Sequence, residues 1–203
     1  DYFLKKKRVQ LKLLITHPLK RSVPRITNLK YLRKEGIKVI HDLNANKYYN
    51  TIKNLSPDLI FVIGWSGMIK EKIRKIPRYG IIGFHPADLP KYRGRSVIAW
   101  QIEEGVKHSA YSAFFISSKP DAGDILIKQK FIIGHNDYVE DVLNKVDISL
   151  KKMLPKIYKM ILNASFPRIK QKLNKGFYRK LRNDSNSIIS LEENAIKIYN
   201  KVR

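Results

Sequence analysis

His85 has the residue type and the position for chemistry. It follows an apolar run at 80–84 and precedes Pro86. A histidine held at the end of a buried strand can keep a neutral ring that accepts a proton from an attacking amine. The same position also suits a structural histidine that closes the strand, and position alone does not separate the two. Asp121 lies in Pro120-Asp121-Ala122-Gly123. An aspartate in such a turn commonly bonds its own backbone, and position alone favours that ordinary role. Asp124 shares the ambiguity. Lys91-Tyr92-Arg93-Gly94-Arg95 sets an aromatic ring and three cations a few residues after His85. Arginine forks suit phosphate or pyrophosphate, and the proximity to His85 favours that role over a plain solvated loop.

Other chemistries lack their marks. His17, His41, His108 and His135 are scattered, with no metal-ligand spacing, so no metal site is expected. The chain has no cysteine, which excludes disulfides, thiolate metal sites and cysteine nucleophiles. It has no P-loop, no GxGxxG and no GxSxG, the usual signatures of nucleotide hydrolysis, hydride transfer and serine hydrolysis.

The elements that must position these residues follow from hydrophobic patterning. Short apolar runs at 12–16, 37–40, 58–64 and 80–84 read as strands, and 58–64 suits a central parallel strand covered on both faces. Helices are expected at 26–35, with Gly36 as C-terminal cap, at 48–55, at 66–75 and at 97–104. Val23-Pro24 marks a loop, and Ser56-Pro57 ends the second helix. Residues 111–116 and 124–133 alternate and form a hairpin-like pair. Asp137, with Glu140 in capping-box position, starts a long amphipathic helix. Its apolar face is Val139, Val142, Val146, Leu150, Met153, Ile157 and Ile161, and Pro155 must kink or divide it. Residues 167–203 are more polar, with a weak helix at 192–202. Strand-helix alternation implies an α/β fold with an open, mostly parallel sheet. Ligands in such sheets bind beyond the carboxyl ends of the strands, here at Gly64-Trp65 and Phe84-His85.

The 203 residues suit one domain with a short appendage: a domain over 1–163 and a C-terminal helical extension over 164–203. Hydrophobic residues make up 43% of the chain, enough for a real core. No apolar run approaches the ~20 residues that span a membrane, and the basic first ten residues lack the apolar region of a signal peptide. A cytoplasmic location and no membrane partner are therefore expected. The net charge is +24. It suits a polyanion or an anionic small substrate, but the cations are dispersed and lysine, isoleucine and asparagine are abundant throughout, which favours compositional bias.

Taken together, these pieces resemble the 10-formyltetrahydrofolate-dependent formyltransferase family, which includes methionyl-tRNA formyltransferase and the sugar N-formyltransferases. Residues 84–100 read FHPADLPKYRGRSVIAW, similar to the family's strand-end histidine, Leu-Pro loop, Tyr-Arg-Gly and tryptophan-bearing helix. Asp121-Ala122-Gly123-Asp124-Ile125 resembles its Asp-x-Gly motif, and the segment from Pro57-Asp58 to Gly64-Trp65 matches upstream. The resemblance covers about 13–131 and implies a Rossmann-like sheet. It implies His85 and Asp121 as catalytic, the histidine as base and the aspartate orienting it. It places 10-formyltetrahydrofolate against Gly67, Met68 and Ile69 and the loop 115–121, Phe115 and Ser117 among them. Tyr92, Arg93 and Arg95 would face the amine substrate. The chain departs from the family at Gly83, where an asparagine usually supports the oxyanion, and at Ala87 and Asp88, where serine and leucine are usual. Both chain ends look shortened against the family.

The resemblance favours a nucleotide-linked amino sugar as acceptor, because the KYRGR loop resembles that of sugar formyltransferases. The alternatives are a truncated methionyl-tRNA formyltransferase with tRNA as partner, a catalytically degenerate folate- or nucleotide-binding domain, and a formyltetrahydrofolate hydrolase. The long helix from Asp137 could pair in a homodimer, although packing on its own sheet is the favoured reading.

Overall fold

The computed structural model describes residues 2–18 and 29–203. The chain divides into two compact units, residues 1–58 with 67–78 and residues 59–66 with 79–203. The expected loop at Val23-Pro24 and the first part of the expected helix, 26–28, lie outside the described residues.

In the first unit, β1 (Leu13–Thr16) pairs in parallel with β2 (Lys38–His41). Helix α1 (Lys30–Lys34) precedes β2. Gly36 ends the helix at φ +74°. There the Gly36 N–H reaches the Arg33 carbonyl at 3.1 Å and the Ile37 N–H reaches Leu32 at 3.0 Å, which satisfies carbonyls the helix itself leaves open. Helix α2 (Tyr49–Leu55) stops at Ser56, whose φ is +42°. Leu32, Ile37, Ile52, Ile69 and Ile73 are buried. The helix expected over 66–75 shrinks to one turn, α3 (Glu71–Arg74). Asn46 explains the difference. Its amide donates to the Met68 carbonyl at 2.8 Å and accepts from the Lys70 N–H at 2.7 Å, so it holds 68–70 out of helical conformation.

The second unit contains β3 (Ile60–Ile63), β4 (Ile81–His85), the two-residue β5 (Arg93–Gly94), β6 (His108–Phe115) and β7 (Ile125–Ile132). Its main sheet runs β3-β4-β6-β7. β3 and β4 are parallel, whereas β4–β6 and β6–β7 are antiparallel. All five residues of β4 are buried. β3 is only half-buried, with Ile63 50% exposed. Within this sheet β4 and β6 each have a hydrogen-bonded neighbour on both edges, whereas β3, the 58–64 run, has one on a single edge. Among the described residues, three of the five strand pairings are parallel. The protein is α/β, as the alternation of elements implied.

Helix α4 (Val97–Glu103) follows the His85 loop. Helix α5 (Val139–Leu162) runs through Pro155 as one element and buries Val142, Val146, Met153 and Ile157, while Val139 stays 40% exposed. Its start lies one residue later than Asp137 and Glu140 suggest. The Tyr138 N–H donates to the Asp141 carboxylate at 2.9 Å. Asp137 instead accepts from the Gly134 N–H at 2.6 Å and pairs with Lys145. Residues beyond α5 include β8 (Tyr178–Arg179), parallel to β5, and α6 (Ala195–Val202). α6 begins after Asn194, whose side chain accepts from the Lys197 N–H. Among the described residues, no helix is long and apolar enough to cross a membrane, and no three side chains cluster as metal ligands.

Candidate active site

His85 is the last residue of β4 and 6% exposed. Its Nε2 lies 2.6 Å from the Tyr92 carbonyl. A carbonyl only accepts, so Nε2 carries the proton and the neutral ring has its lone pair on Nδ1. Nδ1 is 3.8 Å from Asp121 Oδ2, a gap too long for a hydrogen bond. Tyr92 presents its carbonyl from a left-handed conformation, φ +53°. Its ring packs edge-on to Phe177 at 4.8 Å, and its hydroxyl donates to Glu104 at 2.5 Å. Burial, then the Glu104 carboxylate, push the Tyr92 phenol well above its ordinary value. Glu104 is in turn paired with Arg179 of β8 at 2.5 Å.

Asp121 also sits in the left-handed region, φ +50°. Its Oδ2 accepts from the Gly94 N–H at 2.8 Å. Gly94 adopts φ +108°, and a Cβ there would lie 2.2 Å from the Arg179 carbonyl. Only glycine lets β5 approach β8 that closely. The segment beyond α5 also ties the Asp121 turn. The Gln171 amide donates to the Asp121 carbonyl at 2.9 Å and to the Gly123 carbonyl at 2.6 Å, and the Tyr178 hydroxyl donates to Pro120 at 2.9 Å.

The fold brings His85 and Asp121 together, but it does not turn every expected residue toward them. Tyr92 is 8% exposed, so its main chain rather than its ring reaches the histidine. Arg93 is 5% exposed. Its guanidinium donates to the Pro90 carbonyl at 3.1 Å and to Leu173 at 3.1 Å, and it lies over the Tyr178 ring. Both side chains are thus engaged in the loop's own architecture, buried on main-chain and ring partners where the sequence led us to expect them on substrate. Arg95 and Lys91 are exposed. Phe115 is enclosed. Its ring lies beneath the Arg168 guanidinium at 3.5 Å and its N–H donates to the Asp124 carbonyl at 2.8 Å, so that ring face and the amide are already engaged. Ser117 is half-buried, with its hydroxyl on the Lys119 carbonyl. In the first unit, Gly67 and Met68 are exposed, while Ile69 is buried and its carbonyl accepts from Arg74 at 2.7 Å.

Gly83 shares a face of β4 with His85, two residues away. A Cβ there would lie 2.5 Å from Ile116 Cδ1 and 2.9 Å from Phe114 Cζ. Hydrocarbon fills the space an asparagine side chain would need. Sequence reasoning missed the Tyr92 carbonyl, the Gly94 N–H, Gln171, Tyr178 and Asn46. The glycine of Arg-Gly-Arg was the one local signal among them. Gln171 lies in a polar stretch with no periodicity to single it out.

A buried strand-end histidine, fixed by a carbonyl and facing a carboxylate at the ligand edge of an α/β sheet, can take a proton from a nucleophile and hold the resulting charge. The family model described as Formyl transferase matches residues 30–158, and the chain belongs to that family. It is 32% identical over 154 residues to a methionyl-tRNA formyltransferase of Clostridium tetani, a match covering 76% of this chain and 48% of that protein. The chain spans about half the length of the curated relatives it matches. The solved 4-N formyltransferase from Francisella tularensis is similar with a TM-score of 0.73 at 20% identity, over 93% of this chain and 74% of that one. The formyltransferase PseJ from Anoxybacillus kamchatkensis, solved with UDP-4,6-dideoxy-4-formamido-L-AltNAc and tetrahydrofolate, gives 0.68 at 19% identity, over 94% and 97% of the two chains. At such identities these likenesses establish the fold.

Proposed function

We propose that this protein transfers a formyl group from 10-formyltetrahydrofolate to the primary amine of a nucleotide-linked amino sugar. The observation that carries the reading is the His85 ring, whose Nε2 proton is held by the Tyr92 carbonyl while Nδ1 faces Asp121. The amine's proton goes to Nδ1 as the amine forms its new bond to the formyl carbon; the carbon–N10 bond of the folate then breaks and N10 takes the proton back from the ring, leaving the formamide and tetrahydrofolate. The imidazolium formed between these steps carries its new N–H toward Asp121, whose carboxylate stabilises it and is itself fixed by the Gly94 N–H. The 3.8 Å gap closes into a charge-assisted hydrogen bond only in the protonated state. The pair therefore acts more strongly after proton transfer than before it, as catalysis requires.

The folate supplies the formyl carbon. Within the second unit, the half-buried Ser117 segment offers main-chain groups to the folate; in the first unit, taken by itself, Gly67 and Met68 are exposed. The exposed cations Lys91 and Arg95 near His85 in sequence suit a nucleotide diphosphate. A cytoplasmic location belongs to the same reading.

A second acceptor, a methionyl-tRNA, is favoured by the names of the curated relatives at 26–32% identity and by the charge of +24. The protein would be incubated with 10-formyltetrahydrofolate and a panel of nucleotide-linked amino sugars, with initiator methionyl-tRNA alongside and His85→Ala as control. Mass spectrometry reads the formyl gain. Gain on a sugar, lost in the variant, is expected. Gain only on the tRNA moves the assignment to the second acceptor, and steep salt dependence of binding would accompany it. Formate release without any amine marks a hydrolase. Folate binding with no gain and no formate sinks the transferase reading and points to the hydrocarbon around Gly83.

A further inference from the structure

The Asp121 turn is held from outside, and one side chain does most of the holding. Ile169 pairs with Ile125 as an antiparallel bridge, with N–H to carbonyl distances of 2.8 and 2.9 Å. Two residues along in that register, Gln171 stands opposite Gly123. Gly123 has no room for a side chain, since a Cβ would lie 1.7 Å from the Phe115 carbonyl, so its main chain is pressed against β6 and its carbonyl is left for Gln171. The two hydrogens of the Gln171 amide go to the Asp121 and Gly123 carbonyls. These carbonyls flank Ala122 and follow the left-handed Asp121, a conformation an aspartate keeps only when its surroundings fix it. The Gln171 Oε1 is buried with no partner among the described residues. The side chain thus leaves its own acceptor unsatisfied while bridging the turn with its donors.

We propose that Gln171 is the positioning residue of Asp121, and through it sets the gap between His85 and Asp121. This rests on the dyad reading above. An amide is required because two carbonyls need two donors on one atom. A carboxylate would repel both, and an apolar isostere would release both.

The Gly94 N–H provides a local reporter. Along β5 the Arg93 and Arg95 N–H groups bond to β8, at the Phe177 and Arg179 carbonyls. The Gly94 N–H points the other way, to Asp121. Amide hydrogen exchange by NMR on the full chain therefore separates displacement of Asp121 from loosening of β5 on β8. In Gln171→Leu, exchange at Gly94 should rise about 10-fold, the worth of one hydrogen bond, while Arg93, Arg95 and the β6 amides keep their protection. In Gln171→Glu, Gly94 protection should return in part as pH falls, because a protonated carboxyl can again donate one of the two hydrogen bonds. Unchanged Gly94 protection in Gln171→Leu overturns the proposal. So does a joint rise at 93, 94 and 95, or a general rise across β6, without acid recovery in Gln171→Glu, because that is the behaviour of a packing residue. None of these readings needs turnover, so a protein that transfers no formyl group still gives the answer. Where transfer is observed, Gln171→Leu should lower kcat about 10-fold and leave the KM of the acceptor near its original value.

Discussion

Two polar knots in the second unit are built from similar parts and finished to different degrees. At the start of α5, Arg203 donates to the Gly134 and Asp137 carbonyls and to Asn200. Asp137 accepts from Gly134 and pairs with Lys145, which also reaches the Ile132 carbonyl. Around His85, a carbonyl, a carboxylate and an arginine are again drawn together, but the fit is incomplete. Nδ1 stands 3.8 Å from its carboxylate. Tyr92 and Asp121 supply two of the five non-glycine residues at positive φ among those described. Among the described residues, the two buried side-chain polar atoms without a partner, Gln171 Oε1 and Arg179 Nε, belong to this second knot. Buried polar groups are normally satisfied, and strained backbone persists where its surroundings impose it. The closed knot contributes to stability alone. On the proposed function, the open one keeps interaction in reserve for a proton that has yet to arrive.

The largest test of this contrast is His85→Ala. Removing the proposed base should lower formyl transfer by about 10²- to 10⁴-fold and should cost about 1–2 kcal/mol in unfolding, because the Tyr92 carbonyl loses its buried donor, whereas Asp137→Asn should leave transfer rates alone. Were the two variants to exchange these effects, the division between the knots would be wrong.

Gly94→Ala comes next. Its Cβ would meet the Arg179 carbonyl at 2.2 Å from a residue at φ +108°. Neither strand can relieve that by turning a side chain, so urea unfolding should show a loss of about 3 kcal/mol, with transfer reduced as Asp121 loses its N–H. A Gly94→Ala protein of native stability would mean that β5 and β8 are not closely paired. Gly83→Asn meets softer obstacles, the ends of Ile116 and Phe114, and should cost about 2 kcal/mol as an overpacked site. Adding Ile116→Ala should recover part of it. If the single variant is as stable as the parent, the space beside His85 is not filled as described.

Asp137→Asn is milder, about 1 kcal/mol, since the Lys145 pair is partly solvent-exposed. Burial disfavours the Asp137 charge, but Lys145, the Gly134 N–H and Arg203 hold its carboxyl below the ordinary range. A depressed folded value means stability present above the unfolded carboxylate pKa and lost as pH falls through the folded one. The stability difference between parent and variant should therefore shrink in acid. A difference that holds constant below the ordinary carboxylate range would show that Asp137 is not held ionised by this knot.

The same contrast explains what could be read from the sequence. Strand β4, helix α4 and the β6–β7 pair follow from local apolar patterning, and His85 is visible because it ends such a run. The partners of His85 are not visible in this way. Tyr92 acts through its carbonyl, which any residue type could present, and its side chain drew attention to the wrong atoms. Arg93 looks like a phosphate ligand by type and is buried on carbonyls by tertiary context. Asn46 overrides helix propensity at 66–70 from twenty residues away. Gln171 reaches the dyad only because Ile169 bridges Ile125, a long-range pairing with no local signature. What stayed hidden was main-chain geometry and distant side-chain ties.

Tyr92→Phe probes the open knot with the smallest expected effect. It removes the hydroxyl's bond to Glu104, which keeps Arg179 as partner, so the loss near neutral pH should be about 0.5–1 kcal/mol. The alkaline limb is more telling. Tyr92 is raised by burial and by Glu104, with Arg179 opposing, and Tyr111 is raised by burial and by Asp147. A raised folded value means stability fully present below the unfolded tyrosine pKa, about 10, and lost as pH climbs toward the folded value. The parent protein should therefore lose stability above that pH through both phenols, and Tyr92→Phe through Tyr111 alone. Chemical unfolding at stepped alkaline pH would show the two curves converging. Parallel curves would mean that the Tyr92 hydroxyl ionises as freely in the fold as outside it, and the buried link from His85 through Tyr92 to Arg179 would then have to be abandoned.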